Sequence, residues 1–270
     1  GRPGLRAHRS HDVVPVDECI IAHADLPDVL AHRWDAGTTV EAVVGSTGES
    51  LVVTDSRPPK GLAAEGVVGT AGQVRRGRRA VHEQVRDRRF RVTGSGFWQV
   101  HPESATTLVD AVMAGADVRP GDHAADLYAG VGLFTAFLAE AVGPEGRVAS
   151  VEADPGGSRD ARRNLHDLDE VRLVDRTTER SLRDGSLVGA LDGRVDVVVL
   201  DPPRTGAKRA MADILALRPR RIVYVACDPA ALARDLVGPL ETGYELVSLR
   251  AFALFPMTHH VECVAVLALS

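Results

Sequence analysis

Ala124-Ala125-Asp126-Leu127-Tyr128-Ala129-Gly130-Val131-Gly132-Leu133-Phe134-Thr135 decides the fold. A short apolar run ending near an aspartate passes into two closely spaced glycines and then into a second apolar segment. That is a strand, a tight turn and a helix, with glycine where the backbone must turn sharply and come close to a ligand. The third glycine of a dinucleotide fingerprint is missing, so Gly-x-Gly alone is a weak signal. The next strand ends in Val151-Glu152-Ala153-Asp154, where a carboxylate can accept from both hydroxyls of a ribose. Gly130 and Glu152 thus mark a candidate nucleoside-cofactor site, open to a dinucleotide or to S-adenosylmethionine. The plainer reading is a helix-packing glycine pair and a surface glutamate.

Outward from that turn, residues from Pro102 onward alternate between strand-like and helix-like patterns, the mark of a parallel sheet covered by helices on both faces. A leading helix is expected over 102–114, with strands near 123–128, 147–152, 171–174, 195–200, 221–226, 244–250 and 261–268. The last two lack a helix between them, which predicts a terminal hairpin set into an otherwise parallel sheet. The fold class is therefore α/β, Rossmann-like, with a seven-stranded, mostly parallel sheet. Before residue 98 the rhythm is shorter. Thr38–Val44 and Leu51–Thr54 flank the turn signal Gly45-Ser46-Thr47-Gly48, and Val81–Val92 alternates ahead of Gly94-Ser95-Gly96. Two regions are expected: a β-rich substrate-recognition region over 1–96 and the α/β domain over 97–270.

A length of 270 residues with 44% hydrophobic content is enough for one large core or two unequal ones. No apolar run approaches the roughly 18 residues of a spanning helix, and no charged-then-apolar leader opens the chain, so a soluble, cytoplasmic protein is expected. The chain starts at Gly1 rather than Met, as a fragment of a longer protein would. Its three cysteines, Cys19, Cys227 and Cys263, are too scattered for a disulfide framework or a closed zinc site. The net charge of −5 is unevenly spread, with 14 Lys and Arg against 12 Asp and Glu in residues 1–100, and 18 against 25 in the remainder. Gln73–Arg91 holds Arg75, Arg76, Arg78, Arg79, Arg86, Arg88, Arg89 and Arg91 against Glu83 and Asp87. Such a stretch can neutralise phosphates and position a nucleic acid, or it can be a solvated arginine-rich hairpin.

Three further residues carry chemistry. Cys227 stands in Tyr224-Val225-Ala226-Cys227-Asp228-Pro229, between a strand and a helix that Asp228 can cap and Pro229 can begin. The helix N-terminus favours a thiolate. The Asp228 carboxylate opposes it, which leaves the thiol's net shift unsigned; a buried, apolar role for Cys227 is the alternative. Asp201 ends a strand in Val197-Val198-Val199-Leu200-Asp201-Pro202-Pro203-Arg204, a carboxylate stiffened by two prolines at the mouth of the sheet. Amino-group methyltransferases place an aromatic residue after Asp-Pro-Pro to stack on the target base, and Arg204 in that place argues against an exocyclic amine as acceptor. Glu262 lies alone in the apolar run Val261–Leu269, either at a sheet edge or as a perturbed functional acid.

Taken together these stretches resemble the S-adenosylmethionine-dependent RNA uridine-5-methyltransferases that act on tRNA and 23S rRNA, class I methyltransferases. The resemblance runs through Phe97-Trp98-Gln99-Val100-His101-Pro102, the glycine turn, Asp201–Arg204, Tyr224–Asp235 and Phe255–Glu262. It implies cofactor contacts at Gln99, Tyr128, Gly130, Glu152 and Asp201, with Leu133 and Thr177 lining the same site. It also implies Cys227 as the nucleophile, Glu262 as the proton acceptor, Asp201 as a polar partner of the base, and a flipped uridine in a tRNA or 23S rRNA loop as substrate. The expected cofactor is S-adenosylmethionine, with no metal and a monomeric protein. The chain departs from the family pattern in three places. Asp228 stands where many members have Asn. The family's N-terminal RNA-binding β-barrel does not lie within these residues. Cys19 resembles the last of four cluster-binding cysteines, and one cysteine cannot hold an iron–sulfur cluster. A base-amino methyltransferase and a catalytically inactive RNA-binding module of the same fold are the alternatives.

Overall fold

The computed structural model describes residues 1–7 and 10–270, and it divides into two compact units, Gly1–Phe97 and Trp98–Ser270. In the first unit, β1 (Gly4–Arg6) pairs with β2 (Val13–Pro15). β3 (Val40–Val44), β4 (Ser50–Thr54), β5 (Gly66–Val68) and β6 (Val74–Gly77) form a four-stranded sheet in that order, with β4 and β5 parallel. β7 (Ala80–Val85) and β8 (Arg88–Thr93) make a separate hairpin. The turn Gly45–Gly48 joins β3 to β4 as expected, with Gly48 at φ 90° where a side chain would be strained. Trp34, Val52, Leu62 and Val67 form a small core. β5 and β6 escape a reading by periodicity because one is three residues long and buried throughout, and the other is exposed throughout.

The second unit opens with α1 (Ser104–Ala116) and continues as β9 (His123–Leu127), α2 (Leu133–Val142), β10 (Arg147–Glu152), α3 (Pro155–Asn164) and β11 (Val171–Asp175). Two short helices follow, α4 (Thr178–Arg183) and α5 (Ser186–Ala190), then β12 (Val197–Leu200), α6 (Lys208–Ala216), β13 (Arg221–Ala226) and α7 (Pro229–Glu241). β14 (Tyr244–Phe252) and β15 (Glu262–Leu269) close the chain. The seven strands run β11-β10-β9-β12-β13-β15-β14. All neighbours are parallel except β15, which is antiparallel to both β13 and β14. The expected terminal hairpin is there, with β15 inserted beside β13.

β9, β12 and β13 are buried on both faces, which is why their sequences read as continuous apolar runs rather than alternations. Alternate residues face opposite layers. Ala125, Leu127, Leu200 and Tyr224 pack with Leu187 of α5, Met211 and Ile214 of α6 and Leu236 of α7. α1 and α2 cover the other face. The strand order reverses on either side of β9, so the loops after β9, β12 and β13 open together at the carboxyl ends of the strands, where open α/β sheets bind ligands.

Candidate active site

The glycine turn after β9 is built from backbone in the left-handed region. Gly130 and Gly132 have φ of 57° and 91°, and Tyr128, without glycine's freedom, is held at 63°. A non-glycine residue there carries strain of order 1–3 kcal/mol, and such strain gathers at functional sites. A side chain on Gly132 would run into Leu165, whereas on Gly130 it would meet open space. Gly132 thus serves packing, and Gly130 keeps the face of the turn clear.

Glu152 locks this turn. Its Oε2 accepts from the Gly130 amide at 2.7 Å and its Oε1 from the Asp154 amide at 2.6 Å. Asp154 caps α3 through the Gly157 amide at 2.7 Å. Each oxygen of an anchored carboxylate keeps a further lone pair for a ligand hydroxyl. Asp126, fully buried, accepts from the Thr135 hydroxyl at 2.6 Å, while its Oδ1 has no hydrogen-bond partner among the described residues. Burial, opposed by the Thr135 hydrogen bond and reinforced by the Glu152 charge, pushes its pKa to about 7. An open-faced turn, a fixed carboxylate and an acid with a bare oxygen fit a nucleoside cofactor that carries positive charge.

From this turn a chain of mutually repelling acids leads to the thiol. Asp201, partly exposed after β12, is driven well above the usual carboxylate range by burial and by the charges of Glu262 and Asp126. Glu262, 4% exposed, is pushed by burial to about 7. It lies in β15 one residue before Cys263, which pairs with Ala226 at the end of β13. Cys227, half-buried after that strand, is raised by desolvation and then by Glu262 and Asp201; Arg204 works against them. The structure therefore signs the thiol's shift, and Asp228 is not its main cause. The Asp228 carboxylate is occupied in capping α7, accepting from the Ala231 amide at 2.8 Å.

Other expected residues are placed as follows. Tyr128 turns toward Thr178 and Glu179 at the start of α4, and desolvation leads the causes that raise its hydroxyl to about 12. Thr177 caps α4 by accepting from the Arg180 amide at 3.3 Å. Leu133 is buried in the first turn of α2. Gln99 is half-buried ahead of α1, and no hydrogen bond among the described residues ties it to the acids. Cys263 is buried, as a core residue would be, and Cys19 is a half-buried free thiol in the first unit. Arg204 was legible only as the absence of an aromatic. Its position, acting on both Cys227 and His260, emerges from the folded loops. No helix among the described residues is long and apolar enough to cross a membrane.

The family model for tRNA (uracil-5-)-methyltransferases matches residues 78–269. An uncharacterised RNA methyltransferase of Streptomyces coelicolor is 45% identical over 99% of this chain and 60% of its own length. One from Bifidobacterium longum is 34% identical over 98% of this chain and 63% of its own length. The chain thus spans somewhat over half the length of the curated relatives it matches. Among solved structures, the Pyrococcus abyssi tRNA (uracil-54, C5)-methyltransferase in complex with S-adenosyl-L-homocysteine shares the fold. Its TM-score is 0.67 at 24% identity, covering 85% of this chain and 58% of that one. With the glycine turn, the acid chain and the strand-end cysteine in the family's order inside the matched segment, this chain belongs to the tRNA (uracil-5-)-methyltransferase family.

Proposed function

We propose that the chain is the catalytic part of an enzyme that methylates C5 of a uridine in a structured RNA, of the tRNA or 23S rRNA kind, through a covalent bond between Cys227 and C6 of the base. The observation that carries this reading is the meeting of Asp201, Cys227 and Glu262 at the ends of β12 and β13 and the start of β15, near enough that Glu262 and Asp201 both act on the thiol. S-adenosylmethionine, which the Gly130–Glu152 cradle fits, supplies an electrophilic methyl group.

The chain's own residues do the rest. Uracil C5 is a poor nucleophile, and addition of the Cys227 sulfur at C6 gives it enolate character. Asp201, whose carboxyl is driven well above the usual carboxylate range, is the candidate to stabilise the charge that develops on O4; Gln99 is the second candidate there. Once C5 carries the methyl group it still holds its proton, and Glu262 is the acid–base group poised near neutral pH to take it. Its removal lets the sulfur leave. Tyr128, Gly130 and Glu152 hold the cofactor, and Arg204 offsets the acids around the thiol.

The test uses RNA containing 5-fluorouridine, because fluorine at C5 cannot leave as a proton. With cofactor present, a denaturation-stable protein–RNA adduct is expected, absent in Cys227→Ala. No adduct from the parent protein would sink the covalent route and favour methylation of a base amine.

A further inference from the structure

Between the loop that carries Asp201 and the helix that follows Cys227 lies a buried cluster that the chemistry above leaves unused. Tyr224 of β13 donates its hydroxyl to Asp235 Oδ2 of α7 at 2.8 Å, and both residues are buried. The Ala207 amide donates to the same carboxylate oxygen at 2.7 Å and to the Tyr224 oxygen at 2.9 Å. Arg234 Nε donates to Asp235 Oδ1 at 2.9 Å, and its Nη2 reaches back to the Thr205 carbonyl at 2.8 Å. Between them, Gly206 has φ of 76°, and a side chain there would run into the Asp235 carboxylate and the Arg234 guanidinium. Three consecutive loop residues, Thr205 to Ala207, are thus held by two neighbouring side chains of one helix.

The placement ties two parts of the site together. The clamped residues directly follow Asp201-Pro202-Pro203-Arg204, and the clamping helix begins two residues after Cys227. Prolines at 202 and 203 stiffen the connection, so a shift at Ala207 passes along to Asp201 and Arg204. α6 has no side-chain cap of its own. Asp235 therefore also sets a negative charge at that helix N-terminus, where it is favoured.

We propose that Asp235, braced by Arg234 and Tyr224, is a positioning residue that fixes Asp201 and Arg204 relative to the Cys227 sulfur. The inference rests on Cys227 being the nucleophile. A misplacement of about 1 Å in such a site costs on the order of 100-fold in rate.

Asp235→Asn and the milder Tyr224→Phe test it, in the full-length protein. The expected result is a kcat lower by about 100-fold and about 5-fold respectively, with the KM for RNA and the cofactor affinity within about 3-fold of the parent. A second readout needs no turnover: iodoacetamide alkylation of Cys227 across pH, followed by peptide mass spectrometry. Its midpoint should move to higher pH in Asp235→Asn, because Arg204 is no longer held beside the thiol. Folded variants with parental kcat and a parental alkylation profile would overturn the proposal. Parental methyl transfer by Cys227→Ser would instead overturn the nucleophile assignment, a different failure with a different signature.

Discussion

Glu49 and Glu262 are both buried glutamates, 6% and 4% exposed, and they end up in opposite states. Glu49, in the first unit, accepts from Thr47, sits 2.8 Å from His82 Nδ1 and receives Arg89 Nη2 at 3.0 Å. Burial raises its pKa, but the hydrogen bonds and the His82 charge outweigh it and bring the group down to about 2. Glu262 has burial as the cause of its shift and rises to about 7. Burial also raises Glu41 and Glu83 of the first unit, so the contrast is between individual groups rather than between units. The arginine-rich stretch is the most conspicuous charge in the sequence, yet much of it is occupied locally. Arg75 donates to the carbonyls of Asp55 and Ser56, Arg76 to those of Leu62 and Ala64, and Arg78 pairs with Glu65 at 2.6 Å. Charges that are satisfied build structure. Charges raised by burial, as at Asp126, Asp201 and Glu262, are the signature expected of a functional site.

If that division is right, the largest effects of substitution belong to the site cluster. Cys227→Ser should lower single-turnover methyl transfer by about 10⁴-fold or more, because a covalent step is lost rather than slowed. Transfer at the parental rate would break the comparison outright. Glu262→Gln should stop a later step, with product formation down about 10²- to 10⁴-fold and a protein–RNA adduct accumulating on unmodified RNA. In the parent, proton removal requires ionised Glu262, so the product rate should fall as pH drops through about 7. An acid limb near the usual carboxylate range would place Glu262 among the satisfied charges.

The contrast was only half visible in the sequence. Strands β9, β12 and β13 were legible because buried parallel strands leave unbroken apolar runs, and the missing helix between residues 250 and 261 disclosed the hairpin of β14 and β15. Cys227, Asp201 and Glu262 stood out as candidates because each lies at a strand end beside an apolar run, while the role expected of each came from the family resemblance. What was not legible depends on distance across the fold. The opposing pulls on the Cys227 thiol could not be signed until Glu262 and Asp201 were brought near it and Asp228 was found engaged with Ala231. Likewise, the arginines of β6 gave no hint of whether they faced water or the carbonyls of a neighbouring loop, since both leave the same residues in the sequence.

Stability offers a sharper version, with opposite signs from the same substitution. For Glu262 the folded pKa of about 7 exceeds the ordinary 4.5, so its contribution is intact below 4.5 and is lost as pH rises through 7. Glu262→Gln should therefore stabilise its unit at pH 8 by roughly 1–3 kcal/mol and leave it unchanged at pH 4. For Glu49 the folded pKa is about 2, so its contribution is present above 4.5 and is lost as pH falls toward 2. Glu49→Gln should destabilise the other unit at pH 8 by roughly 1–3 kcal/mol, a difference that shrinks in acid. The two tryptophans make this measurable, since Trp34 lies in the first unit and Trp98 in the second. Urea titrations of single-tryptophan variants should show the two shifts in opposite directions; equal signs would remove the distinction between the glutamates.

The smallest effects distinguish one arginine from another within the basic stretch. Arg76 bridges two backbone carbonyls, at 3.0 and 3.1 Å, whereas the exposed Arg79 has no side-chain partner among the described residues. Arg76→Ala should lower stability by about 1 kcal/mol, the net worth of such hydrogen bonds, with little change in how RNA affinity depends on salt. Arg79→Ala should leave stability within about 0.5 kcal/mol and reduce the slope of log affinity against log salt by about 1, as the loss of one phosphate contact does. The measurement is filter binding of RNA from about 50 to 200 mM salt beside urea denaturation. If Arg76 carried the salt dependence and Arg79 did not, local hydrogen bonding would have no bearing on which charges meet RNA, and the line drawn between the two glutamates would not extend to the arginines.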